Sequence, residues 1–525
     1  MSQEPKKMDR RKFVWAGVGA AVIIVAGAAV YLGTRPATTV TSTLTSTTTS
    51  TAAPTTVTST TTSTAAPTTV TSTTTSTAAP TTVTSTTTST TATTLTTGTE
   101  VVTLWGISGP TYTTFTREAG LFENGSTAEN EAAHPNVTIL VEQSDESTFE
   151  ATYNLRMATA PPPDFTFHYP GSWFTYPLAK AGYLYNLDDA IKKYGWSFDP
   201  GYEKYLFDPT TNSPSPNGHA YCMPQDYVAY PFIYYNPTIF TKLGVSVPTT
   251  IDELYSICSK AVSAGYLPVT FGYNTAPAWA CNLYTFVLAN LLDATDYDNF
   301  LSAYGYSLTV GNPSFKSRTV HWTDPTFIQA FTLEQEIASK IYAAGFLGMS
   351  DDDASGLFAS GKSAMYQTGS WGPSTLDSLV TSFTFDAFIM PTDWSVISPP
   401  AIASVDNCLA ICAKTNYPDI CLEFMDFAIS KAEQTLMANT GAFTCRNDLP
   451  SSIYTDPHMV TNSSLFTKYD PHMVIQLLIN ADLASEFISD VGSLMSGSMT
   501  AAAVAADLEK TAETVYASAV TTTTT

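Results

Sequence analysis

Positive charge is scarce in this 525-residue chain: 23 Lys and Arg stand against 46 Asp and Glu, a formal net charge of −23. From Glu100 to Ser518 the balance is 17 against 44. Such a surface argues against nucleic acid or anionic lipid as partner, because both need a basic face. Charge of either sign reaches only 13 %, while Tyr, Thr and Ser abound, a composition suited to acid surroundings in which carboxylates lose their charge. The seven cysteines (222, 258, 281, 408, 412, 421 and 445) contain no C-x-x-C, and no His stands beside them at zinc spacing. H-E-x-x-H, G-x-S-x-G and a P-loop are also missing. No catalytic residue, cofactor or metal is therefore expected.

Two further segments carry weaker signals. Asp351-Asp-Asp-Ala-Ser-Gly356 begins like a calcium loop, but its twelfth position is Lys362, where a bidentate Glu is required. It reads as a helix start, with acidic residues set against the positive end of the dipole. Asp-Pro-His-Met-Val occurs twice, at 456–460 and 470–474, with no function to read from it.

The first hundred residues cannot form a core. Lys6, Lys7, Arg10, Arg11 and Lys12 precede an uncharged run, Phe13–Gly33. As a helix that run would be about 31 Å long, enough for a hydrocarbon layer of roughly 30 Å. The basic cluster holds the N-terminus in the cytoplasm and sends the rest outside. Asp9-Arg-Arg-Lys-Phe-Val14 looks like a twin-arginine export signal. Ala26-Gly-Ala28 offers a cleavage site, but the length of the run favours a retained anchor. Residues 34–99 are nearly all Thr and Ser, with a 13-residue repeat that sets Pro54, Pro67 and Pro80 in register. This composition predicts an extended, O-glycosylated stalk reaching at most roughly 215–235 Å, followed by a globular domain over 100–518 and a Thr-rich tail at 519–525. Once the domain is outside, Asn124, Asn136 and Asn462 are candidate N-glycosylation sites. Disulfides are then permitted, and Cys258 with Cys281 is a plausible pair across two neighbouring helices.

Within the globular part, strands alternate with helices from Val101 onward, which predicts an α/β fold with mostly parallel sheets. Ligands of such sheets bind beyond the carboxyl ends of the strands, where the loops 105–110 and 168–173 fall. The most telling segment is Phe358-Ala-Ser-Gly-Lys-Ser-Ala-Met-Tyr-Gln-Thr-Gly-Ser-Trp371. A helix stops at Gly361, a short strand follows, Gly369 turns, and Trp371 opens a helix with Pro373 in its first turn.

This F-x-x-G-K-x-A-M strand followed by G-S-W resembles the extracellular solute-binding proteins of ABC importers, in the branch that includes maltose-binding proteins. Leu178–Asp188, Tyr221–Tyr227 and Ile233–Pro237 extend the resemblance, which covers nearly all of 100–450 in order. It implies a two-lobed periplasmic-binding-protein-like fold (type II), with a hinge and a cleft between lobes that close on a solute. Lobe one would be about 100–226 and 383–438, lobe two about 227–382 and 439–518.

Sugars need flat aromatic plates for their C–H faces and fixed polar partners for their hydroxyls. By the resemblance, Trp371, Ser370 and Trp279 would serve from lobe two. Trp105, His168 and Trp173 would serve from lobe one, with Asp226 and Tyr230 near the crossing strand. Trp105 lies inside its strand and has the core as its other destination. Asp406 and Asn407 stand where the family often has small glycines, a departure that leaves their role open. The implied function is capture of a carbohydrate for an ABC permease. The alternatives are a glycan-active enzyme, a structural surface or adhesion protein, or, within the binding class, a peptide as the solute.

Overall fold

The computed structural model describes residues 38–51, 59–65, 68–74 and 82–95, and most of 99–518; the longer exceptions there are 197–218, 305–314, 395–401 and 467–473. The basic N-terminus, the apolar run 13–33, and the expected site residues Trp173 and Asp406 lie outside the described residues. Among the described residues, no helix is long and apolar enough to cross a membrane. The chain divides after Glu100 into two units.

The first unit departs from the expected extended stalk. β1 (Thr38–Thr51), β2 (Ser59–Ala65), β3 (Thr68–Thr74) and β4 (Thr82–Leu95) form an antiparallel sheet of order β1-β4-β3-β2. Threonine is stiff at χ1 and suits a pleated strand.

The second unit is built by a chain that crosses between two sheets three times. β5 (Glu100–Ile107), helix Pro110–Asn124, β6 (Val137–Ser144), helix Glu146–Ala158 and β7 (Phe165–His168) begin the first lobe. After two short helices, β8 (Met223–Pro224) joins the same sheet and β9 (Asp226–Tyr230) leaves it. β10 (Phe232–Tyr235), β11 (Leu267–Phe271), β12 (Ser363–Thr368) and β13 (Asp386–Ile389) make the second lobe's sheet, in the order β11-β12-β10-β13. β14 (Ile402–Val405) returns antiparallel to β9 and leads into β15 (Cys408–Ile411), which completes the first sheet as β6-β5-β7-β15-β8. β16 (Phe443–Thr444) pairs with the other edge of β9 and begins the last crossing.

Two expectations change. Phe383 does not mark the return to lobe one, because β13 pairs with β10 in the second sheet and the crossing comes later, at β14. The sheets are also mixed: β5 with β7 and β11 with β12 run parallel, whereas β15 opposes β7 and β8, and β10 opposes β12 and β13. Strands that enter straight from a crossing, with no helical crossover, come in reversed.

Local signals hold where they concern helix ends. Thr250 and Glu253 form a reciprocal capping box at helix Ile251–Ser263. Ser350 and Asp353 do the same for helix Asp351–Ala359, so the acidic triplet is a helix start. Gly361 has the left-handed φ of 70° at that helix's end. The expected Cys258–Cys281 pair is not formed; no disulfide joins the seven cysteines, and all seven are buried.

Candidate functional site

The turn after β12 is fixed from several sides. Ser370 donates its amide to the Ala229 carbonyl (2.9 Å), and its hydroxyl accepts the Ala229 amide (3.0 Å), stapling the turn to β9. Tyr234 Oη donates to the Gly369 carbonyl at 3.1 Å. Asn462, from helix Pro457–Phe466, donates to Tyr234 Oη (2.8 Å) and to the Ser370 carbonyl (3.0 Å). A Cβ on residue 369 would fall inside the Trp371 ring, so only glycine lets the indole fold back over the backbone there. Trp371 caps helix Gly372–Leu379, with Pro373 in the first turn, and stays half-buried.

Trp279 stands beside it. It lies in the first turn of helix Ala278–Leu291, whose body packs against β9 and β14. The Trp279 and Trp371 ring centroids are 5.4 Å apart and tilted by 55°. Gln476 anchors the start of that helix through the Ala278 carbonyl (3.4 Å) and the Asn282 side chain. Two half-buried indoles, angled to each other where the chain changes lobes, give an aromatic corner on rigid supports.

The crossing strands are tied together at lobe one. Asn407 donates its side-chain amide to Asp226 Oδ2 (2.6 Å) and its backbone amide to Oδ1 (3.3 Å), while its carbonyl accepts from Gln225 at 2.8 Å. Gln225 Nε2 reaches both oxygens of Glu118 at 2.8 Å, and Gln434 Nε2 holds the Gln225 carbonyl at 2.7 Å. Glu118 is fully buried; burial first, then the neighbouring Glu433 charge, push its carboxyl well above the usual range. Arg117 pairs with Glu433 and balances that side.

Of the sequence-predicted residues, the structure brings Trp371, Trp279 and Ser370 together, and Asp226 with Asn407. Ser370 is fully buried and spends its polar atoms on Ala229 and Asn462, so it positions Trp371 instead of meeting a ligand. Tyr230 is 2 % exposed, and its hydroxyl accepts from Gln367 Nε2 at 2.6 Å, which makes it a core residue. Trp105 is 4 % exposed, stacked on Tyr153 and tilted against Phe149, with its indole N–H on Ser144 Oγ at 3.0 Å. Its strand lies between β6 and β7, and half of its residues, Trp105 among them, are buried. His168 ends β7, paired with Cys408.

Asn124 and Asn136 are exposed, but Asn462 is fully buried and uses its amide nitrogen on Tyr234 and Ser370. It cannot carry a glycan in this fold. The sequon hides this positioning role, although Met459, Asn462 and Leu465 share one helical face, and the first and last of them are apolar.

Residues 113–435 match the family model described as bacterial extracellular solute-binding protein. An uncharacterized ABC transporter extracellular-binding protein of Pyrococcus horikoshii is 21 % identical over 286 residues, spanning 53 % of this chain and 59 % of the relative. Among solved structures, a protein studied for xylan utilization by Caldanaerobius polysaccharolyticus superposes with a TM-score of 0.63 at 18 % identity, over 78 % of this chain and 99 % of its own. The maltose/maltodextrin-binding domain of Bdellovibrio bacteriovorus, bound to maltotriose, gives 0.58 at 14 % identity, over 79 % and 99 %. These likenesses share the two-lobed fold.

Proposed function

The chain belongs to the bacterial extracellular solute-binding proteins, and from that premise we propose that its second unit captures a carbohydrate between its lobes and delivers it to an ABC permease. The aromatic corner of Trp371 and Trp279 carries this reading. An indole face matches the C–H face of a sugar ring, and its fixed backing leaves little motion to freeze on binding. In this reading Asp226 and Asn407, bound to each other at the crossing, supply carboxylate and amide oxygens to sugar hydroxyls; Asp226 is 4 % exposed, so Asn407 is the one a ligand would meet first. The maltotriose held by the Bdellovibrio domain supports a sugar over a peptide. The scarcity of arginine speaks against a small anion.

The test is a thermal-shift screen of the full chain against sugars and peptides, since a ligand of the folded state raises Tm. At least one sugar should raise it and be recovered unchanged by chromatography. A shift with peptides alone, or turnover of the sugar, would overturn the reading. The basic cluster and the apolar run before the repeats support a membrane tether with the lobes outside. Protease added to intact cells should then release the two-lobed unit, and its retention inside would refute the tether.

A further inference from the structure

The first Asp-Pro-His-Met-Val copy finds a place in the structure outside the sugar site. Asp456 and His458 open helix Pro457–Phe466, and their donor atoms, with those of Asp377 from helix Gly372–Leu379, lie within 4.8 Å of one another. We propose that Asp377, Asp456 and His458 bind a divalent transition cation, zinc foremost, that ties these two helices together.

The His458 ring is held as a metal ligand is held. It stacks on Phe385 with centroids 3.8 Å apart and an interplanar angle of 11°. Nε2 lies 3.2 Å from the Phe385 carbonyl. A carbonyl only accepts, so Nε2 carries the proton and Nδ1 is the end of the ring that faces Asp377. This is the arrangement in which a backbone carbonyl fixes the tautomer and orientation of a ligating imidazole. Nδ1 is buried and makes no well-directed hydrogen bond, although Asp377 Oδ1 is only 2.8 Å away. The carboxylate stands beside the ring nitrogen and not in line with it. A shared proton favours the in-line placement, whereas two ligands of one ion stand side by side. Donors each about 2.1 Å from a tetrahedral ion are about 3.4 Å apart.

Asp456 is fixed as well, its Oδ1 accepting the amides of His458 and Met459 at 2.9 Å each. Asp377 is exposed, so its carboxylate can swing from the 2.8 Å contact with Nδ1 to the wider spacing that two ligands of one ion need. One imidazole and two carboxylates suit zinc, cobalt or nickel, whereas magnesium and calcium prefer oxygen alone. Water would complete the coordination on the open side. The bound ion would brace the helix that Trp371 caps from its far end, while Asn462, four residues beyond His458, holds the near end through Ser370.

The experiment uses the full chain, stripped with chelator and titrated with zinc chloride alone by calorimetry, with no sugar present. A failure here leaves the sugar reading standing, and a failure of the sugar screen leaves this proposal standing. One saturable zinc site is expected, with no comparable heat from magnesium or calcium chloride. His458→Ala should abolish it, and Asp377→Asn should weaken it at least tenfold, the scale set by loss of groups around a metal. Asp377 is exposed, so its variant decides if His458→Ala fails to fold. Absence of a saturable site, or an unchanged zinc isotherm in folded Asp377→Asn, would overturn the proposal.

Discussion

Lobe one and lobe two each place a tryptophan near the carboxyl end of a sheet strand, with opposite outcomes. Trp105 lies within β5, a strand with neighbours on both edges and aromatic side chains from helix Glu146–Ala158 over it. Trp371 comes three residues after β12 ends, beyond a glycine that lets the ring fold back. The difference teaches that motif and residue type do not choose between core and cleft. What chooses is whether the residue is still in the ladder, where the sheet fixes its side-chain direction, or past it, where a turn does.

The two lobes also treat buried carboxyls differently. Glu118 in lobe one is met by Gln225 and lies near Arg117. Neither oxygen of Glu334, fully buried in helix Pro325–Ile341 of lobe two, has a partner among the described residues, and burial alone pushes its carboxyl well above the usual range.

The comparison breaks most sharply at Trp105. Trp105→Ala should cost about 3–5 kcal/mol in urea unfolding, as for other buried large aromatics, with sugar affinity of the folded fraction unchanged. Lost affinity at full stability would return Trp105 to the cleft.

Next in size is a pH effect in lobe two. Asp351 receives the Tyr366 hydroxyl at 2.6 Å, but burial outweighs this and pushes its carboxyl up to about 6. An acid that holds its proton more tightly when folded stabilises the fold fully below its unfolded pKa. That contribution fades as the pH climbs through the folded value. Between about pH 4 and pH 6 the loss should be on the order of 3 kcal/mol, and Glu118 and Glu334 act in the same direction. Asp351→Asn should flatten this part of the stability–pH curve, and an unchanged curve would remove Asp351 from the account.

Trp371→Ala should do the reverse of Trp105→Ala. Stacking a sugar on one indole face hides roughly 80–100 Å² of apolar surface, about 2–2.5 kcal/mol at ~25 cal/mol per Å². Calorimetry should therefore show binding weakened roughly 30- to 60-fold. Unchanged affinity with a large loss of stability would make Trp371 a core residue. The smallest effect is expected at Asn462→Ala, which strips a donor from Tyr234 and Ser370 and should cost about 1–2 kcal/mol of stability. Mass spectrometry of the wild-type chain should find this asparagine unmodified, and a glycan there would mean the turn is built otherwise.

Features local to the chain are legible in the sequence. Gly361, Thr250 and Ser350 mark helix ends through dihedral freedom and short-range capping bonds, which need only neighbours in sequence. The G-S-W turn can be read for the same reason. Strand direction, the late return at β14 and the fate of the repeats cannot, because each depends on which distant strand supplies the ladder partner. Asn462 shows the limit most plainly. The sequence offers a sequon in a chain expected outside the cell, and only the packing of helix Pro457–Phe466 against β13 turns its amide toward Tyr234 and Ser370. Sequence by itself determined where elements begin and end, the acidity of the surface and the tryptophan at the turn, since these are set by local dihedrals, capping and composition. Tertiary structure alone decided which tryptophan is sealed in and which polar groups meet at the crossing, because burial belongs to surfaces that distant segments make together.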